Sequence, residues 1–576
     1  MAAEEPGTSL TPLGKILSIL LILGLIGAGV YIVMQKSNPP KPPAGGGPAG
    51  GGTAGPAVEA PDTKGVTTVT EYKYVPAEKL PPVTSAGKYD WDDNEKVLRF
   101  TYNVWAGWLP LFAANKGAKP SAESIFAKKY GFKVELVKMD DPVAARDAFA
   151  AGKVHTLWGT VDMMVLFAPE LLRDPRTSPR IVQQIDWSSG GDGIVVRNKI
   201  RSVADLKGKT IALAMNSPSQ YFLTSLLLSA GLKPADLKQK FTGDAFQAAA
   251  AFAGDNSIDG CVSWAPDIYN IADRIGGTRL LATTKDANKL IADVYAIRAD
   301  FVRDHPDIVK GLVAGIFEGM DLLRDHPEDA CKAMADAFGM KPDEVMGMRN
   351  DAHLTNYPEN VQFFLNSSNP TNFERTWKNA SYVYQKLGTL GGEAVEFEKV
   401  MDFSFVKADE MAKQFAQQKD ESVATFTPSS YKKVQAEAPI LTQTIRINFF
   451  PNSANPFEPA RDEFSNPIPG KLYDPNASAT LERVAQLAGQ FARCVILVEG
   501  HTDSSMKSKV PISAVKDLSL ARAEAVKQAL IQKFKFDPNK FIVEGKGWDQ
   551  PFDPADAMNQ ALNRRTEISV YPPEEK

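Results

Sequence analysis

The stretch VEGHTDSSMKSKVPISAVKDLSLARAEAV, residues 498–526, places an imidazole, a carboxylate and several hydroxyls within a few positions of one another. Such a set fits three chemistries: nucleophilic hydrolysis, metal coordination, or a non-catalytic clamp on a charged ligand. Hydrolysis needs an activated nucleophile, and the chain has no G-x-S-x-G turn to present one. A metal needs ligands at short, regular spacing. His155, His305, His326, His353 and His501 are scattered, and Cys261, Cys331 and Cys494 stand far apart, so neither a metal site nor a cofactor is expected. KGKT at 207–210 imitates the end of a phosphate loop, but the glycine it would require is Val203, and it reads as a turn before a strand. A clamp is the remaining reading. A clamp of that kind sets a carboxylate against an ammonium and a guanidinium fork against a carboxylate. A plain surface ion pair between the acidic and the basic group is the competing account.

Residues 439–576 must position that pair. They read as strand (TIRINFF), helix (SATLERVAQLAGQFAR), strand (CVILVEG), helix (LSLARAEAVKQALIQKF), strand (FIVEG) and an alternating final strand (TEISVYP), a small α+β domain. The segments EGHTD, LSLARAEAVKQAL, VEGKGWDQPF and NRRTEISV, in that order, resemble the OmpA-like peptidoglycan-binding domain over essentially its whole length. The resemblance implies that Asp503 and Arg522 bind the diaminopimelate of the peptidoglycan stem peptide, with Thr502 in the same H-T-D segment. Asn452 falls on the ligand-side turn, and Arg564 either binds the wall peptide or braces the loop. The sequence departs from the pattern between Asp503 and Leu518. That stretch is about four residues longer, lacks the glycine after the aspartate, and has Val515 where an asparagine is usual.

Residues 95–415 alternate short apolar strands (VLRFTYNV, KVELVKM, DGIVVR, TIALAM, DGCVSW) with amphipathic helices (PVAARDAFAAG, PSQYFLTSLLLSAG, DAFQAAAAFAG). This is α/β organisation, with a mostly parallel sheet expected and its length divided between two lobes flanking a cleft. The ordered segments WAGWLPLFAANKG, AAGKVHTLWGTVDMM, GGDGIVVRNKIRSVADLKGKTIAL, GDAFQAAAAFAGDNSIDGCVSWAP and VYAIRADFVRDHPDIVKGL resemble the periplasmic solute-binding proteins of ABC importers, of the nitrate, sulfonate and pyrimidine-precursor type. That resemblance implies a two-lobed periplasmic-binding-protein fold that closes on a small-molecule solute. In such a cleft, ligand groups are expected at strand C-termini and helix N-termini. Asn216, Ser217 and Ser219 open a helix there, where Ser217 either helps hold an anion or only caps the helix. Trp105, Trp108 and Trp264 are either pocket walls or core. Asp162, Asp192 and Asp244 lie on equivalent turns, and any one facing the cleft would favour an ammonium-bearing ligand as much as an anion. Some relatives are pyrimidine synthases with a cysteine- and histidine-based site; Cys261 is isolated here, so no enzyme is expected.

The 576-residue length requires several domains, and a net charge of −4 argues against a nucleic-acid partner. Residues 16–35 contain ILSILLILGLIGAGVYIVM, an uncharged run that would span roughly 28 Å as a helix. Glu4 and Glu5 against a lone Lys15 disfavour a cleaved signal peptide. The expected order is a cytoplasmic tail (1–15), one transmembrane helix (16–35), a Pro/Gly-rich tether (36–94), the two-lobed domain (95–415), a linker (416–438) and the wall-binding domain (439–576). It describes a single-pass inner-membrane protein with its bulk in the periplasm, serving ABC-type uptake or sensing, with an ABC permease as candidate partner. The alternative is an envelope scaffold whose two-lobed domain is a ligand-free spacer or docking module.

Overall fold

The computed structural model describes residues 65–434, 439–450 and 452–572. The expected anchor, 16–35, lies outside the described residues, and among the described residues no helix is long and apolar enough to cross a membrane.

Two sheets organise the large domain. One contains six strands in the order Tyr74–Val75, Lys238–Thr242, Thr210–Ala214, Gly260–Trp264, Asp192–Arg197 and Thr278–Thr283. The other contains Ala352–Leu354, Pro179–Ser188, Ala292–Arg298 and Thr156–Thr160, with the parallel pair Val97–Tyr102 and Lys133–Lys138 beside it. The expected mostly parallel sheet is mixed instead. In the six-stranded sheet only the pairings of Thr210–Ala214 with its two neighbours are parallel, and the four-stranded sheet is antiparallel throughout. Besides the run that follows Tyr74–Val75, the chain passes between the sheets twice, from Pro179–Ser188 to Asp192–Arg197 and from Thr278–Thr283 back to Ala292–Arg298, and each of these two passes leaves and enters strands directly rather than through a crossover helix. These direct passes impose the antiparallel pairings that periodicity does not show.

Apolar runs became strands where both faces are covered. All five residues of Thr156–Thr160 and all seven of Ala292–Arg298 are buried. Helix Pro306–Asp325 packs closely through its glycines, since a Cβ on Gly319 would lie 2.1 Å from the Pro110 carbonyl oxygen.

The tether is shorter than expected, because residues 65–94 pack on both sheets. Tyr74–Val75 adds an antiparallel strand beside Lys238–Thr242, and Thr68 donates from N and Oγ to the Asp267 carboxylate. Further along, Gly87 N donates to Ala150 O, while Tyr89 and Trp91 pack edge-on against Phe301. Proline-rich polar sequence hid a strap whose few aromatic anchors have no period to detect.

The terminal domain has the expected α+β form. Its sheet runs Leu441–Ile445, Thr566–Tyr571, Val495–His501, Phe541–Gly547. Helix Ile512–Phe534 connects the parallel pair Val495–His501 and Phe541–Gly547, and Ala477–Gln490 packs beside it. Ile512–Phe534 begins six residues before the LSLAR segment, directly after Pro511, so part of the extra length before Leu518 is helical.

Candidate functional site

The terminal domain's pocket is built where strand Val495–His501 ends and helix Ile512–Phe534 passes over it. Gly500 is required there: a Cβ on it would meet the Ser519 carbonyl oxygen at 2.1 Å. A cavity of about 380 Å³ follows, lined by Asn448, Phe449, Tyr473, Arg522, Arg564 and Arg565, among others. The Arg522 guanidinium lies 4.9 Å over the Phe449 ring, and its Nε donates to Ser453 O at 3.1 Å. Asn452, exposed and left-handed at φ 59°, makes the turn that presents that carbonyl. Burial pulls the Arg522 pKa below that of a free arginine, and the charge of Asp503 opposes the shift.

Asp503 is buried, with Oδ1 accepting from Ser505 N at 2.8 Å. Its other oxygen is 3.1 Å from Arg564 Nε. Arg522 and Arg564 line the pocket and Asp503 reaches it through Arg564; among the described residues no direct ion pair joins Asp503 to Arg522, and Arg564, more than half exposed, is the movable partner. Arg565 is the brace, with Nε on Glu567 at 2.6 Å and a terminal nitrogen donating to Gln550 O. The Thr502 amide donates to Gly547 O, while its buried hydroxyl has no partner among the described residues. His501 is buried, and desolvation followed by the Arg565 charge lowers its pKa to about 4, so it is neutral at neutral pH. With three guanidiniums lining it and the Asp503 carboxylate held on Arg564, the pocket is chemically matched to a ligand end bearing both an ammonium and a carboxylate.

The interlobe site forms where the two passes between sheets run side by side. Ser188 N donates to Ile291 O, and Thr284 N donates to Asp192 O. Ser188 Oγ bonds both Asp192 Oδ2 at 2.7 Å and Thr284 Oγ1 at 2.8 Å. Asp186 and Asp293 sit directly opposite on adjacent strands. Trp105 is buried at the site; its Nε1 donates to Asp186 Oδ2 at 3.1 Å. Its ring lies against Gly191, where a Cβ would fall 2.0 Å from the ring edge. Asp162, buried, accepts from Tyr384 Oη at 2.9 Å. Burial raises Asp162 to about 6 and Asp186 and Asp192 to about 7, with neighbouring carboxylates adding to the shifts of the last two. Asp293 is raised further by burial and by the charges of Asp186, Asp192 and Asp162.

The other residues picked out in sequence divide between pocket and frame. Trp264 is half-buried on the strand beside Asp192, edge-on to Phe246. Trp108 is core, packed on Phe100 with Nε1 bonded to Asn103. Asp244 caps helix Ala245–Gly254 by accepting from Gln247 N. Ser217 makes no side-chain cap, because its hydroxyl donates backward to Ala214 O. Asn216 is left-handed at φ 52° and donates N–H to Gln220. Ser219 is fully buried, and its hydroxyl has no partner among the described residues. Cys261 is buried in a satellite core cluster, its thiol pKa pushed up by desolvation. Sequence reading missed Asp186, Asp293 and Asp351. An available signal was an aspartate inside an otherwise apolar strand, as in QQIDWS and ADVYAIR.

Residues 126–330 match the NMT1/THI5 like family, and residues 470–565 match the OmpA family. The taurine-binding periplasmic protein of Escherichia coli (strain K12) is 26% identical over 245 residues, covering 41% of this chain and 73% of that protein. Outer membrane protein Omp38 of Acinetobacter baumannii is 26% identical over 195 residues, 32% of this chain and about half (53%) of its own length. Among solved structures, the alkanesulfonate-binding protein of Xanthomonas axonopodis pv. citri bound to MOPS aligns with 54% of this chain and 99% of its own, at 18% identity and a TM-score of 0.42. This chain thus carries an NMT1/THI5-like segment followed by a C-terminal segment of the OmpA type.

Proposed function

We propose that this protein is a binding and tethering component of the cell envelope rather than an enzyme. The OmpA-family domain holds peptidoglycan through the diaminopimelate of its stem peptide: Asp503 takes the ammonium, and Arg522 and Arg564 take the carboxylate. The two-lobed domain closes on a small solute between its sheets, and the apolar run at 16–35 anchors the chain in the inner membrane. The domain pair serves solute uptake with an ABC permease, or solute sensing. The observation that supports this reading is the pocket lined by Arg522 and Arg564, with the buried Asp503 carboxylate on Arg564 and no direct ion pair between Asp503 and Arg522 among the described residues.

Sedimentation of the purified chain with peptidoglycan sacculi tests the wall-binding half. The chain is expected in the pellet, and Asp503→Ala with Arg522→Ala is expected to leave most of it in the supernatant. Equal pelleting of the double variant would sink the assignment.

A further inference from the structure

The interlobe site is acidic and lacks the cation that would balance it. Five aspartates, 162, 186, 192, 293 and 351, converge on it, and among the described residues none forms an ion pair with a lysine, arginine or histidine. Asp186 and Asp293 oppose each other across adjacent strands, and the Asp192 carboxylate senses Asp162 and Asp351. Mutual repulsion of this kind costs stability, and among the described residues the carboxylates have hydrogen-bond donors but no cationic side chain to offset it.

A second observation is independent of the clustering. Asp192 is 4% exposed, and its Oδ1 has no hydrogen-bond donor, although Oδ2 is held by Ser188. Directly across the sheet from Asp192, on the same face, Trp264 Nε1 is buried without an acceptor. A vacant acceptor and a vacant donor, both out of water, thus lie at directly opposed positions on one face of the sheet. Trp105 adds a flat apolar wall, fixed by its bond to Asp186 and its seat on Gly191.

We infer that the two-lobed domain takes a small ligand bearing a protonated amine, with the ammonium held by Asp192, Asp186 and Asp293 and an acceptor on the same ligand meeting Trp264 Nε1. This assignment rests on the solute-binding reading and specifies it: the recognised group is the cation, and a simple sulfonate or nitrate finds no guanidinium or ammonium to pair with here. An alkylammonium supplies the positive charge the aspartates lack and hydrogens for their free oxygens, and its methylenes lie on the Trp105 ring. Access requires the lobes to part about the two passes at 188–192 and 284–292.

Thermal-shift and calorimetric titration of the purified chain separates the outcomes. The probes are ethanolamine, putrescine and taurine, set against ethanesulfonate, which is taurine without its amine, and nitrate. At least one amine is expected to raise the melting temperature and ethanesulfonate to leave it unchanged. Asp192→Asn is expected to weaken amine binding at least tenfold while leaving the ligand-free melting temperature equal or higher, because it removes a repelling charge. Asp186→Asn is the second variant should Asp192→Asn fold poorly. Ethanesulfonate binding as tightly as taurine, or an amine binding Asp192→Asn undiminished, would overturn the assignment and leave solute binding standing. No response to any probe would overturn both.

Discussion

At the residue scale, what governs both sites is charge held where water does not reach it. In the interlobe site Asp162, Asp186, Asp192 and Asp351 have folded-state pKa values of about 6 to 7, against an ordinary value of 3.8, and Asp293 is raised well above that ordinary value. Their folded-state pKa lies above the unfolded one, so the native state binds more protons between those limits, and stability falls as pH rises. The groups facing one another there are Asp162, Asp186, Asp192, Asp293 and Asp351, with the Tyr221, Tyr269 and Tyr384 hydroxyls beside them. The ligand-free protein is therefore expected to be more stable near pH 5 than near pH 8, with the loss accumulating from about 4 through about 7. Melting temperatures across that range check it, and Asp192→Asn should flatten the decline. A melting temperature that rises steadily to pH 8, with no flattening in the variant, would contradict the account. None of this was legible as a cluster in sequence. Asp162 and Asp192 stood out on turns, but Asp186 and Asp293 became partners only through the pairing of Pro179–Ser188 with Ala292–Arg298, more than a hundred positions apart.

At the element scale, most strands and helices of the large domain follow from periodicity, and the exceptions are elements whose partners lie far away in sequence. The strap at 65–94 contains one two-residue strand and is held by Asp267, Ala150 and Phe301, which its own residues do not announce. In the OmpA-family domain the end of helix Ala477–Gln490 is closed by a residue from elsewhere. Lys540 is buried, and its Nζ donates to the carbonyls of Phe491, Ala492 and Cys494 at 2.7 to 3.0 Å. A lysine there serves as a C-terminal cap. Lys540→Met keeps the aliphatic stem but leaves three carbonyls without donors, so a loss of about 3 kcal/mol is expected in chemical denaturation. A variant within about 0.5 kcal/mol of the parent would show that water replaces the ammonium at little cost.

At the scale of the whole molecule, the two domains are docked rather than merely strung together. Arg375 Nε meets Glu482 at 3.0 Å, and Gln486 donates to Arg375 O. Gly489 lies against Pro370, where a Cβ would be 2.8 Å from the ring. The second pass between the sheets takes part: Lys289 N donates to Gln490 O, and the Cys494 thiol faces Asp286 O. A cavity of about 280 Å³ between the domains is bounded by Ser225, Asn379, Tyr382, Gln443, Arg483 and Gln486, among others, so helices from the lobe junction and the OmpA-family domain share one boundary. Docking thus braces the second pass between the sheets. Gly489→Trp has no room and should undock the domains, raising the radius of gyration in small-angle scattering and exposing the linker around residues 416–430 to protease, with each domain still folded. An unchanged scattering profile would show that the contact yields locally.

The sequence by itself determined the order of the two folded domains and their α/β and α+β characters, and its resemblance to the OmpA-like pattern marked Asp503 and Arg522 as the pair worth examining. Those properties depend on local periodicity and on short motifs whose residues are neighbours along the chain. Only the tertiary structure decided that HTD belongs to a pocket where Arg564, not Arg522, holds Asp503, that the sheets are mixed, and that an unbalanced carboxylate cluster occupies the cleft. Each of these is set by which distant strands pair and by what water is excluded from, and neither is encoded in the spacing of residues along the chain.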